Sequence, residues 1–67
     1  MNIEAEFNRI DEIRSVSSMQ DGLERLPKAS QVQVILHALR KSRFQWTWSY
    51  FAKKYGVPES DWPERDV

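Results

Sequence analysis

The chain has 67 residues, no cysteine, a single histidine and a formal net charge of zero, with ten Lys and Arg against ten Asp and Glu. This length holds one domain, which hides only about 60% of its unfolded surface. The missing cysteines exclude disulfides and thiolate metal centres, and His37 alone cannot build a zinc site, so no cofactor and no metal are expected.

Ile3, Phe7 and Ile10 recur at intervals of four and three, with Ile13 beside them, which predicts a helix over residues 3–14. Glu4, Asp11 and Glu12 are expected on its solvated face. Ser17 followed by Gln20 has the spacing of a capping box and opens a second helix, whose stripe is Met19, Leu23 and Leu26. Pro27 stops it, since proline has no amide hydrogen and restricts the residue before it. Gly22 weakens this helix by about 1 kcal/mol relative to alanine. Ser30 and Gln33 repeat the capping-box spacing ahead of a third helix. Val32, Ile35, Leu36 and Leu39 form its main face, and Arg40 and Lys41 in its last turn suit the negative end of the dipole. Val34 and Ala38 make a thinner second strip, so this helix is expected at the centre, covered on two sides.

The segment FQWTWSYFAKKYG predicts a fourth helix, with Thr47 as candidate N-cap and Lys53 and Lys54 closing it. Gly56 fits the left-handed C′ position and Val57 the hydrophobic residue of a Schellman ending, after which Pro58 prevents continuation. The remainder, ESDWPERDV, is polar and acidic; a turn is expected, with one short helical turn at most, then fraying. No segment alternates as a strand does. The fold class is all-α, a small three- to four-helix bundle. Residues 1–58 form one helical domain and residues 59–67 an acidic C-terminal tail. The short connections suit antiparallel neighbours.

Charge is segregated along the chain. Residues 1–25 carry six acids and three bases, residues 26–58 six bases and no acid, and residues 59–67 four acids and one base. Two arrangements are compatible with this profile. The acidic ends can fold back and neutralise the middle, or the middle can present a basic surface to an acidic partner or to nucleic acid.

Six of the eight aromatic residues lie between Phe44 and Tyr55. Phe44, Trp48, Phe51 and Tyr55 share one helical face, the expected core face. Trp46 and Tyr50 lie four apart on another. Trp, Tyr and Arg are enriched at binding hot spots. Trp46 and Tyr50, with Arg40, Arg43, Lys53 and Lys54, are therefore the candidate partner-binding residues; the alternative for Trp46 is packing against the first helix.

Catalytic patterns are missing. His37 falls opposite the main stripe of the third helix, where exposure is expected, and the sequence suggests no third group to orient a nucleophile–base pair. There is no glycine-rich phosphate loop and no metal-ligand spacing. Enzymatic activity is not expected. The N-terminus lacks an apolar signal core, and no run approaches the roughly 20 apolar residues of a membrane span, so a cytoplasmic protein without membrane contact is expected.

Two short resemblances touch on function. FAKKYGVPESDW looks like the middle of a helix-turn-helix, with Ala52 and Gly56 four apart. Its recognition helix would begin near Pro58, contain Pro63 and present Glu59, Asp61 and Glu64, which repel phosphate. Leu23-Glu24-Arg25 after a serine-rich turn, and Val57-Pro58-x-Ser60-x-Trp62, are similar to the small helical nucleoid-modulating proteins of the Hha type. That similarity implies an all-helical protein acting on a DNA-organising partner protein. The expectation is a small regulatory or adaptor protein of a bacterium or its phage. It would bind an acidic protein surface, for example as an inhibitor occupying a nucleic-acid-binding protein. Direct nucleic-acid binding through Arg40, Lys41, Arg43, Lys53 and Lys54 is the second choice, and a homodimer through Val34 and Ala38 the third.

Overall fold

A computed structural model describes residues 2–66. Four helices follow one another: α1 (Ile3–Asp11), α2 (Val16–Glu24), α3 (Lys28–Lys41) and α4 (Gln45–Lys54), then a single 3-10 turn at Glu59–Asp61. The protein is a small all-α bundle in which α3 packs against each of the other three helices.

The helix starts differ from those the spacing predicts. Asn2 caps α1 by accepting from the Ala5 amide at 3.2 Å. Ser15, not Ser17, caps α2, because Ser15 holds the extended backbone a cap requires and its hydroxyl lies 3.4 Å from the Ser18 amide. Ser30 caps nothing: α3 begins directly behind Pro27, and Ser30 lies inside it. Gln31 acts instead, donating through Nε2 to the carbonyls of Leu23 at 2.8 Å and Leu26 at 3.3 Å. It thereby supplies a donor to the Leu26 carbonyl and a further one to the Leu23 carbonyl, which already accepts from the Leu26 amide at 3.0 Å. Thr47 likewise lies within α4, whose N-cap is Phe44.

The ending of α4 follows its sequence closely. Gly56 takes φ 76°, Val57 N–H donates to Ala52 O at 2.8 Å, and Gly56 N–H donates to Lys53 O at 3.3 Å. Those are the two bonds of a Schellman motif. Val57 is buried and joins the core.

The core gathers Phe7 and Ile10 from α1, Met19 and Leu23 from α2, four residues of α3, and Trp48, Phe51 and Ala52 from α4. On α3 the fully buried residues are Val34, Ile35, Ala38 and Leu39, while Val32 and Leu36 are half-buried. The strip expected to be thin is thus the deeper one, because α1 and α4 both press on this helix. Val34 and Ala38 are sealed and offer no surface for a dimer. Gly22 is buried at the approach of α1 to α2: a Cβ there would lie 3.3 Å from Ile10 Cγ1. The residue that weakens the isolated helix is the one that lets the two helices meet.

Helix α1 ends at Asp11, three residues early, and Asp11 is half-buried instead of lying on the solvated face. Its Oδ1 accepts from the Ser42 hydroxyl and from the Trp48 indole N–H, both at 2.8 Å, and Ser42 Oγ in turn accepts from the Phe44 amide at 2.9 Å. One carboxylate therefore joins α1 to the α3–α4 corner and to α4. Phe44, expected in the core, is turned outward and is 38% exposed. Tyr55 is half-buried; its hydroxyl is buried with no hydrogen-bond partner among the described residues. Burial first, then the Glu24 carboxylate, pushes its pKa above the ordinary phenol value.

The tail does not fray within the described residues. Arg65 donates to Leu39 O at 3.2 Å and Ser42 O at 2.7 Å, and the Asp66 amide donates to Arg40 O at 3.1 Å. These bonds occupy the open carbonyls at the end of α3.

Candidate interaction surface

Two residues along a helix point to nearly opposite sides, so a buried Trp48 turns Trp46 outward. Trp46 is 92% exposed and Tyr50 49% exposed, on the side of α4 away from Trp48 and Phe51. At that exposure Trp46 does not pack against α1. Trp46 and Tyr50 line an open groove of about 470 Å³ with Gln45, Ser49, Lys53 and Trp62. Trp62 forms part of the wall from the tail. Its indole N–H donates to Val57 O at 3.1 Å, which fixes the ring against the end of α4. The Schellman turn and the 3-10 turn behind it return the chain to this position. Sequence spacing did not reach Trp62, because its place depends on that return; a lone tryptophan in a polar tail was the available signal.

The six candidate residues do not form one cluster. Lys53 lines the groove, and its Nζ lies 4.0 Å from Glu59 Oε1. Lys54 Nζ sits 5.7 Å from the centre of the Tyr50 ring and donates to Gln20 Oε1 at 2.6 Å. These two join Trp46 and Tyr50 on one side of α4. Arg43 instead lies with its guanidinium 5.9 Å from the Phe44 ring centre, where Arg14 approaches to 5.7 Å. Arg40 is drawn away altogether: its Nε lies 3.0 Å from Asp66 Oδ1, and it lines a separate depression with Ile3, Leu36, His37 and Pro63.

Neutralisation by the acidic tail is thus local. Asp66 pairs with Arg40 and with Lys41, whose Nζ is 2.6 Å from Oδ2. The Lys41 hydrogen bond first, then that of Arg40, holds the Asp66 carboxyl below the ordinary carboxylate range. Arg14 and Arg43 make no ion pair among the described residues.

His37 and Asp11 are both engaged in packing or hydrogen bonding, while Glu4 and Glu12 are exposed. His37 is half-buried, not exposed, with its ring centre 4.9 Å from that of Phe7. Asp11 is committed to Ser42 and Trp48. Among the described residues no group of three or more His, Cys, Asp or Glu converges as a metal site would. The segment resembling a helix-turn-helix ends in the Schellman turn and a three-residue 3-10 turn, so no recognition helix follows α4 among the described residues.

No helix among the described residues is long and apolar enough to cross a membrane. Compared with known proteins, the chain matches no family model, no curated protein and no solved structure.

Proposed function

We propose that this chain is a small non-enzymatic regulatory or adaptor protein that binds an acidic surface of another protein through the outer face of α4. The observation that carries the reading is Trp46, 92% exposed on a regular helix. Holding a tryptophan in water forgoes the stabilisation of about 1.5–3 kcal/mol that burying a large apolar side chain brings. Tyr50 and Trp62 widen the apolar footprint, and Lys54, which has no carboxylate partner among the described residues, gives it positive charge beside the Lys53–Glu59 pair. Rigid aromatic anchors edged by polar groups are the pattern of binding hot spots.

The test is affinity capture from a lysate of the native host, with mass spectrometry, using the wild-type chain and Trp46→Ala as parallel baits. The expected result is a protein with an acidic surface retained by the wild type and lost by the variant, at an unchanged unfolding midpoint. Equal retention by both baits rejects the face.

Nucleic-acid binding, including modulation of transcription by a Hha-like or helix-turn-helix-related route, is the second reading. Trp46 beside two lysines is the feature that favours it, since exposed rings stack on unpaired bases. Pairing of Arg40 and Lys41 with Asp66, and of Lys53 with Glu59, weighs against it, because three of its five phosphate contacts already face a carboxylate. A gel-shift series decides: direct binding to duplex DNA weakens with salt at a slope of about −0.9 per phosphate contact. No shift at about 50 mM salt removes this reading.

A further inference from the structure

We propose that the chain carries a second recognition point, separate from the α4 groove, at which Arg14, Phe44 and Arg43 receive an acidic side chain and an adjacent apolar residue from a partner protein. Both guanidiniums lie against the same ring, at 5.7 and 5.9 Å from its centre. Both arginines are exposed, and neither has a carboxylate within 4.0 Å among the described residues. Each guanidinium therefore keeps a positive charge that no carboxylate pairs directly among the described residues. A carboxylate placed beside either guanidinium forms charge-assisted hydrogen bonds with it.

The apolar half of the site adjoins the charged half. Phe44 is the outward-turned aromatic of the α3–α4 corner, and with Ile13, Arg14 and Met19 it lines a depression of about 170 Å³, room for a single side chain. Its position is fixed from behind, since the Phe44 amide is tied to Ser42 Oγ and through it to Asp11. Charge complementarity selects the occupant: an acidic segment with a neighbouring aliphatic residue. A basic or neutral segment would leave both guanidiniums unpaired.

The probe is the capped tripeptide Glu-Leu-Glu, titrated into the full ¹⁵N-labelled chain and followed by amide chemical shifts. Saturable shifts are expected at Ile13, Arg14, Met19, Arg43 and Phe44, with dissociation in the millimolar range that so small a ligand permits. The double variant Arg14→Gln, Arg43→Gln is expected to weaken binding about tenfold, and Arg14→Lys, Arg43→Lys to weaken it less, since the charge stays while the planar fork that stacks on Phe44 is lost. The capped Lys-Leu-Lys peptide is expected to give no shift. Absence of shifts at these amides at about 10 mM Glu-Leu-Glu would overturn the proposal. So would equal binding by the Gln pair, or equal shifts with inorganic phosphate alone, which would make the place an anion site without peptide preference. None of these readouts involves Trp46, so failure here leaves the α4 face untouched, and loss of the α4 face leaves these outcomes intact.

Discussion

The Trp48 indole N–H donates to Asp11 Oδ1 at 2.8 Å across 37 positions of sequence, and that bond joins the first helix to the last. Ser42 donates to the same oxygen at 2.8 Å. Removing the carboxylate leaves two buried donors without an acceptor. Asp11→Ala is expected to cost about 2–4 kcal/mol, since each orphaned buried donor costs about 1–3 kcal/mol. Asp11→Asn keeps one acceptor oxygen and is expected to recover about half of that loss. Urea unfolding of both variants measures the difference, and equal stability of the wild type and Asp11→Ala would deny the network its role.

Gly22→Ala sets two effects against each other. Alanine adds about 1 kcal/mol of helix preference. Its Cβ also meets Ile10 Cγ1 at 3.3 Å in a fully buried setting, and overpacking costs about 1–3 kcal/mol. The expected net result is a loss of about 1 kcal/mol, read from the same unfolding curves. A gain would mean that α1 and α2 are free to separate.

Gly56→Ala isolates backbone conformation from packing, because nothing lies within 4 Å of the added Cβ. At φ 76° the left-handed region costs a non-glycine residue about 1 kcal/mol. That loss is expected in the unfolding free energy, with the far-ultraviolet dichroism of the folded protein unchanged.

Tyr55→Phe removes a hydroxyl that is buried without a partner among the described residues. Stability is expected to stay level or rise by up to about 1 kcal/mol. A clear loss would show that the hydroxyl is satisfied in solution.

The docking of the tail should depend on pH. Asp66 has a folded pKa below its unfolded value, held there by Lys41 and Arg40. Its contribution is complete above the unfolded carboxylate range and is lost as pH falls through the lowered folded value. The Arg65 and Asp66 amide resonances should therefore shift toward disordered positions at the acid end of a titration. Asp66→Asn should remove this response, and high salt should weaken the docking in the wild type.

Several features were legible in the sequence because they are local. The Schellman ending of α4 depends on Gly56 and Val57 alone, and the stripes Phe7–Ile10 and Met19–Leu23 depend on helical period. Spacing put Trp46 on a different face from Trp48 but left open whether that face met water or α1, and only the 92% exposure decides it. What stayed hidden depends on tertiary partners. Three serine or threonine caps were expected two or three residues beyond the actual starts at Ser15, Pro27 and Phe44, because the backbone that begins each helix is set by the preceding turn. Asp11 was expected in water, although it lies four residues beyond Phe7 on the inward line. The hydrogen bonds that make its burial stable come from Ser42 and Trp48, far along the chain. The short turn expected in the tail is the 3-10 turn at Glu59–Asp61, but fraying was expected beyond it, and Arg65 and Asp66 instead find carbonyls and cations that the end of α3 provides.

The outer face of α4 is tested most directly by amide chemical-shift mapping of the ¹⁵N-labelled chain with the partner protein added. Shifts are expected to centre on Gln45, Trp46, Ser49, Tyr50, Lys53 and Trp62, with the Trp46 and Trp62 indole resonances among those affected. A footprint centred on the exposed residues of α1 or α2, with the Trp46 indole unmoved, would contradict binding through that face.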